Sequence, residues 1–433
     1  MKKKTNGRYY LVSFLALAFS TLFINACNPP DNSSVTYSGR IYAASELGGH
    51  IAIYDLSIDP SKDTPISVTN GNGQIKQLSG TPGNSPKHVF HDVRYDDAAK
   101  RVYYSTIIPD DALTAGAAAT LSTAHVGYID VSNPSSIPEP VDATIDVDAA
   151  AATNVKNLQF PNGTCIVSLP VIYCGTGQTD EYFVIYSMTL PAYIDVIPKS
   201  AITSGADLKS ARKRFYVEDF RGPWATAGVS LFSHGNISPD QTQIYVDVNE
   251  VNVTDATKPA GYPKGAFTGY RLNLSDVLAG TVTPASVITQ NTVTGLGGSQ
   301  SGAPTVVFRA RYTADGTKIL QSGKDRFFVL DATTLKTLNG AAGDTTIGGG
   351  KDMYENHDAL STTDNKYAIL TIDYMDSTTG DYHVGGLQLY DLMANKPVGK
   401  VAPVCSSCHA ATGTLNTATH FLCGIDGIVS KDK

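Results

Sequence analysis

Short runs of apolar, aromatic and β-branched residues recur along the chain, separated by turns that contain aspartate. In several places a strand that opens at a histidine or an arginine leads through such a turn into a second strand. These pairs are His91–Asp97 with Arg101–Ser105, His234–Asp240 with Gln243–Asp247, Arg309–Gly316 with Lys318–Ser322, and His357–Asn365 with Tyr367–Thr371. The repetition predicts an all-β chain built from antiparallel units.

Most of the paired strands are followed by a third strand that ends in aspartate. The predicted third strands are Ile51–Asp55, Val126–Asp130, Phe327–Asp331 and Leu387–Asp391, and Pro397–Val401 is a candidate fourth, edge strand. Units of three or four antiparallel strands resemble the blades of a β-propeller of the broad YVTN or WD40 kind. The resemblance is one of blade pattern and carries no family fingerprint.

The two ends of the propeller-like region complement each other. His420–Gly427 begins a unit without completing it, while Gly39–Ala43 has the pattern of a second strand. One blade shared by N- and C-terminal strands would close the ring and leave no free sheet edge. Inner strands are expected near His91, Asn157, His234, Arg309, His357 and His420, and residues 158–233 leave room for one more. We therefore expect six or seven blades.

Composition agrees with this fold and narrows the range of partners. The 433 residues include 39 Gly, 22 Pro and 23 Tyr, and only 17% are charged, which favours many short strands joined by turns. The net charge of −7 argues against nucleic acid as a partner.

The first residues have the pattern of an export signal. A basic start is followed by the apolar run Leu11–Ile24, and Ala26 precedes Cys27. This arrangement resembles the lipobox of bacterial lipoproteins, which implies a signal peptide at 1–26, a lipidated Cys27, a tether at 27–35 and a propeller at 36–433. An uncleaved anchor is the alternative. Either places the body outside the cytoplasm, anchored to a membrane.

Cys405, Cys408 and His409 form a C-x-x-C-H sequence within the predicted connection 402–419. This motif is typical of c-type haem attachment, in which two thiols bond the porphyrin and the histidine binds the iron. A redox disulfide or half of a zinc site would have the same spacing, but the sequence contains no second C-x-x-C to complete a zinc site. We predict one haem c, with His420 as the first candidate for the distal ligand and Met353 as the second.

The remaining cysteines have separate expected roles. Cys165 and Cys174 flank a β-rich run and are a candidate disulfide in an oxidising compartment. Cys423 lies in an apolar strand, and a buried thiol is the favoured interpretation there.

Histidines fall at corresponding places in the predicted blades. All nine are expected on one face, because antiparallel alternation brings the starts of first and third strands to the same side. His91, His234, His357 and His420 open inner strands and are the candidate ligands of a second metal, copper or another transition metal. In layout alone this funnel resembles the copper sites of nitrous oxide reductase and of methanethiol oxidases of the selenium-binding type. Arg309 and Asn157 occupy equivalent positions and are candidates to bind an anion or a carbonyl.

Three functions remain open on these grounds. The first is a membrane-anchored monohaem c-type cytochrome that passes electrons to a redox partner protein in the periplasm or at the cell surface. The second is a redox enzyme in which the haem feeds a metal centre held by the histidines. The third is a non-redox binding or scaffold propeller whose cysteine pair forms only a disulfide.

Overall fold

The fold is seen in a computed structural model. It describes residues 35–45, 50–70, 74–77, 90–106, 123–148, 173–189, 191–222, 229–252, 262–298, 304–349, 353–375, 382–404 and 422–433. Residues Thr36–Lys433 form one compact unit. Its strands make six antiparallel sheets, which are the blades of a six-bladed β-propeller.

Blade 1 is built from both ends of this unit. Its early strands are β1 (Tyr37–Ser45), β2 (His50–Ile58), β3 (Ile66–Val68) and β4 (Gln74–Gln77), and its innermost strand is β25 (Leu422–Lys431). β1 pairs with β2 and with β25 over its whole length. The predicted shared blade is therefore confirmed.

Blades 2 to 4 each contain four strands in sequence order. Blade 2 contains β5 (Phe90–Asp96), β6 (Arg101–Thr106), β7 (Thr123–Asp130) and β8 (Val141–Asp146). Blade 3 contains β9 (Tyr173–Gln178), β10 (Tyr182–Ser187), β11 (Tyr193–Pro198) and β12 (Lys213–Tyr216). Blade 4 contains β13 (Val229–Ile237), β14 (Gln243–Asn252), β15 (Tyr262–Asn273) and β16 (Val287–Val293).

Blades 5 and 6 complete the ring. Blade 5 contains β17 (Val307–Tyr312), β18 (Lys318–Gly323) and β19 (Arg326–Asp331). Blade 6 contains β20 (Met353–Glu355), β21 (Ala359–Ser361), β22 (Tyr367–Met375), β23 (Tyr382–Asp391) and β24 (Lys396–Pro403). The second and third strands predicted from the aspartate pattern, and the edge strand at 397–401, all coincide with observed strands.

Helices are short and lie between strands. In the described part of the chain, the α-helices are α1 (Val217–Arg221) and α2 (Leu274–Ala279), and the 3₁₀ turns are Lys199–Ala201, Leu208–Ser210, Pro284–Ser286 and Ile347–Gly349. Among the described residues, no helix is both long and apolar enough to cross a membrane.

The third blade corrects one detail of the expected layout. Its inner strand is β9, which begins at Tyr173, and not a strand near Asn157. With β9 assigned, residues 173–216 make up a single blade, and the ring has six blades in all.

Apolar side chains are buried mainly between neighbouring blades. The layer between blades 1 and 2 includes Ile51, Ile53, Val93, Val102 and Ile129. Similar layers join blades 3 and 4, blades 4 and 5, and blades 5 and 6. Because each blade packs on its neighbours through both faces, the strands can be apolar on both sides, and their inner ends are free to carry polar groups.

A repeated turn joins the first and second strands of blades 4, 5 and 6. In each, an aspartate accepts hydrogen bonds from a Ser or Thr hydroxyl two residues earlier and from a backbone N–H two residues later. The residue after the aspartate has positive φ, a conformation favoured for Gly and Asn. The aspartates are Asp240, Asp315 and Asp364, followed by Gln241, Gly316 and Asn365. We call these three the aspartate turns.

Candidate functional site

Two histidines and a cysteine meet where the inner strands of blades 1, 2 and 6 come together. His91, His357 and Cys423 are all buried, and one potential ligand atom from each lies within 4.8 Å of the others. Nδ1 of His357 is 3.2 Å from Sγ of Cys423, and the two imidazole centroids are 5.9 Å apart. We call these three residues the axial triad.

His357 is oriented by groups on its own blade. Its Nε2 pairs with the carboxylate of Glu355, and its backbone N–H donates to Thr371 Oγ1 at 3.1 Å. Because Glu355 holds the Nε2 side, Nδ1 is directed towards Cys423. Burial lowers the pKa of His357, but the Glu355 and Asp373 carboxylates outweigh it, so the pKa is raised above its ordinary value.

Gly424 explains how Cys423 comes so close to blade 2. A Cβ at Gly424 would lie 2.8 Å from the Cα of Asp92 and 3.1 Å from the carbonyl oxygen of His91. Any side chain there would push β25 away from β5. The Cys-Gly pair at the start of the closing strand therefore sets the approach of the thiol to His91.

Arg309 from blade 5 contacts the third member of the triad. Its guanidinium donates from Nη2 to both Nδ1 and the carbonyl oxygen of His91, each at 2.6 Å, and its Nε lies 3.3 Å from Asp92. A guanidinium can only donate, so Nδ1 of His91 carries a lone pair and the ring proton sits on Nε2. Arg309 thus fixes the tautomer of His91.

The charged residues next to the triad form a largely buried network that ties five blades together. Asp92 accepts hydrogen bonds from Arg94 at 2.8 Å and from the Thr176 N–H at 2.7 Å. Arg311 binds Asp358 through two bonds of 3.0 and 2.8 Å and lies 3.1 Å from Asp426. Together with the ion pair between Arg309 and Asp92, these contacts link blades 1, 2, 3, 5 and 6.

The ionisation of Asp92 follows from this network. Burial raises its pKa, but the charges of Arg94, Arg309 and Arg311 more than compensate and hold the pKa below its usual value. Asp92 is therefore a carboxylate in the folded protein, and it is available as a fixed counter-charge for Arg309.

His234 lies on the far side of Phe308 from the triad. The Phe308 ring is 6.3 Å from the His234 ring and 4.6 Å from the His357 ring, measured between centroids. Burial lowers the pKa of His234 well below its ordinary value and raises the pKa of Asp247 well above its own. The two side chains lie 3.7 Å apart, and burial disfavours the charged form of each. The structure groups two of the four predicted metal ligands and leaves His234 apart from them.

Other predicted residues are placed as follows. His125 lies near the start of β7 and contacts Asp142 at 2.5 Å, outside the axial triad. His50 and His383 lie at the starts of third strands, as expected, while Cys174 and Met353 lie in β9 and β20. Of these four, only the backbone is described. His88, Asn157 and Cys165 lie outside the described residues, as do Cys27, Cys405, Cys408, His409 and His420.

From the sequence, Arg309 is a candidate to bind an anion or a carbonyl. The structure shows its guanidinium already engaged by His91 and Asp92. Cys423 is a site residue that was not predicted from the sequence, although its burial as a thiol outside any disulfide is confirmed. The overlooked signal is its place at the start of an inner strand, where other blades carry His91 and His357.

Chemically, the triad offers two nitrogen donors and one sulfur donor. Imidazole and thiolate together bind copper, zinc and iron. A cysteine beside a histidine that is held by a carboxylate also has the order of a nucleophile, a base and an orienting group. The site thus combines metal-binding and thiol chemistry in one buried cluster.

No protein-family model and no curated protein matches this chain. Solved structures similar to it include a putative 6-phosphogluconolactonase from Bacteroides fragilis, at 12% identity and a TM-score of 0.39, covering 93% of this chain and all of that one. A chain of a nidogen/laminin complex matches at 12% identity and a TM-score of 0.43, covering 90% of this chain and 98% of that one. A putative TolB from Agrobacterium tumefaciens matches at 10% identity and a TM-score of 0.39, covering 93% of this chain and 100% of that one. These likenesses concern the fold alone.

Proposed function

We propose that this protein is an exported, lipid-anchored monohaem c-type cytochrome whose β-propeller serves as a docking platform for electron transfer. The observation that carries the proposal is the sequence of Cys405, Cys408 and His409, between the last strand of blade 6 and the closing strand of blade 1. Two thiols at this spacing, followed at once by a histidine, suit covalent attachment to a porphyrin.

Both ends of the motif-bearing connection are held by described contacts. Before it, the Val404 N–H donates to the Gly385 carbonyl at 3.1 Å. After it, the Leu422 N–H donates to Asp373 Oδ1, also at 3.1 Å. Cys423 of the axial triad follows directly, so the connection returns to the ring beside the triad.

When bound, the haem would supply a one-electron carrier. His409 would be one axial ligand, with His420 the first candidate for the other and Met353 the second. Lipid at Cys27 would hold the protein on the outer side of a membrane, and its acidic body would suit a redox partner protein better than nucleic acid.

The proposal is tested on mature protein made in a host competent for haem attachment. We expect one covalently bound haem per chain by intact mass, and a c-type band in the reduced-minus-oxidised spectrum. The double variant C405S/C408S should lose both signals, while C423S should keep them. If the parent protein carries no added porphyrin, the cytochrome function is wrong, and a non-redox binding propeller becomes the better description.

A second candidate function is a redox enzyme in which the haem exchanges electrons with a metal centre. The specific observation in its favour is the convergence of His91, His357 and Cys423 within 4.8 Å. This function differs from the first by requiring a metal besides haem iron, so elemental analysis separates the two.

A further inference from the structure

We propose that His91, His357 and Cys423 form a mononuclear copper site and that copper competes with Arg309 for His91. The inference goes beyond the cytochrome proposal. Its residues lie outside the C-x-x-C-H motif, so haem attachment and copper binding can fail separately.

The distances suit one small ion. A nitrogen and a sulfur bound to a tetrahedral ion, with bonds of about 2.0 and 2.3 Å, are ~3.5 Å apart. The observed separation between Nδ1 of His357 and Sγ of Cys423 is 3.2 Å. The His91 ligand atom completes a set within 4.8 Å, so His91 has to move closer for all three residues to bind one ion.

Glu355 has the position of a supporting group for a metal-bound histidine. Metal-ligating histidines usually give their second N–H to a carboxylate, which fixes the ring and strengthens the ligand. Glu355 makes this contact with Nε2 of His357, leaving Nδ1 to face Cys423. Its other carboxylate oxygen is buried without a hydrogen-bond partner among the described residues.

Arg309 would compete with a metal ion for His91. Its guanidinium contacts Nδ1 of His91, and the proton on Nε2 then blocks the other nitrogen. Coordination through either nitrogen therefore requires His91 to release Arg309. Asp92 stays beside the guanidinium and keeps its charge compensated during that release. Metal binding and the contact between Arg309 and His91 are mutually exclusive.

Copper fits the donor set better than its competitors. Two imidazoles and one thiolate are the donors of copper electron-transfer centres, and closed zinc sites have four protein ligands. Binding of a divalent ion would release the thiol proton of Cys423 to water. It would also break the hydrogen bond from Arg309 to His91. No electron is transferred in that step, so no other reactant is needed.

The test uses the full-length mature protein with its haem, stripped of loosely held metal and then loaded with copper(II) or zinc(II) alone. We expect about one copper per chain after desalting. Copper-edge X-ray absorption, which ignores haem iron, should show one sulfur and two nitrogen neighbours. C423S and H357Q should lose the bound copper and keep the haem, while H125Q, a histidine outside the triad, should keep both.

Two further variants address the supporting residues. E355Q should weaken copper binding by about 10- to 100-fold, the usual effect of removing a partner of a metal ligand. R309M should strengthen it by about tenfold, because one hydrogen bond to a charged group no longer has to break. Thermal unfolding checks that both variants are folded.

Several outcomes would overturn the proposal. Copper retained equally by C423S would place it elsewhere. Zinc retained with no copper bound would rule out copper as the ligand. Rapid alkylation of Cys423 that depends on His357 and is unaffected by copper would instead assign the triad to thiol chemistry.

Discussion

The aspartate turns and the axial charge network use the same side chain in opposite ways. In the turns, carboxylates such as Asp240 bind neutral hydroxyl and amide groups two residues away at the exposed end of a hairpin. At the axis, Asp92 and Asp358 are fully buried and bind arginines that belong to other blades. The turns repeat in blades 4, 5 and 6, whereas the axial residues differ from blade to blade. The repeated contacts therefore stabilise single hairpins, while the contacts that vary join different blades at the axis.

The largest effect is expected from breaking the axial network at Arg311. R311M would leave the buried carboxylate of Asp358 and the partly buried carboxylate of Asp426 without their guanidinium, and removing one partner of a buried ion pair costs about 3–5 kcal/mol. Urea unfolding measures the loss. K400M removes an exposed pair with Asp63 and is the control, with no expected change. An R311M protein as stable as the parent would mean that the network does not hold the ring together.

A smaller effect is expected where β25 approaches β5. G424A would place a methyl group against the backbone of Asp92, and overpacking of this kind costs about 1–3 kcal/mol. The same change should lower copper retention, because Cys423 moves with the strand. G297A, where a methyl group meets open space, is the matched control. Equal unfolding midpoints for G424A and G297A would contradict the close approach of β25 to β5.

These two regions also differ in how far they could be predicted. The strands and the aspartate turns follow from local residue order, so the blades and the shared closing blade were predicted correctly. Cys423 could not be placed beside His357, because the two are 66 residues apart and meet only once the ring is closed. The inner strand of blade 3 was misplaced since it carries neither histidine nor arginine at its start.

The aspartate turns of blades 4 and 5 should contribute similar, modest amounts. D315A removes the acceptor for the Thr313 hydroxyl and the Thr317 N–H, and we expect a loss of about 1 kcal/mol. D240A should lose a comparable amount, because Asp240 accepts the same two kinds of bond within its turn. D364A should lose more, because Asp364 also accepts a hydrogen bond from the Tyr37 hydroxyl of blade 1 at 2.9 Å. Urea unfolding of the three variants tests this order. A loss in D240A several times that in D315A would show that the turns are not interchangeable.

The smallest effect concerns pH at these turns. Hydrogen bonds from Ser238 and Thr242 lower the pKa of Asp240 below its ordinary value of 3.8. A carboxylate whose pKa is lower in the folded state than in the unfolded state adds stability at pH values above its unfolded-state pKa. That stability is lost as the pH falls through the folded-state pKa. The difference in stability between the parent and D240N should therefore shrink on acidification below about pH 4. Unfolding midpoints measured from pH 7 down to pH 3 test this, and a difference that stays constant would refute it.

The closing strand β25 also determines when the axial triad can assemble. β25 follows every other described strand in the chain, so it emerges last during synthesis, and β1 must wait for it to complete blade 1. Cys423 arrives on that same strand, next to its Gly424. Completion of the ring and assembly of the buried donor set are thus one event, and a chain cut short before Leu422 has neither. Only a chain that extends through β25 can therefore form both the closed ring and the complete triad.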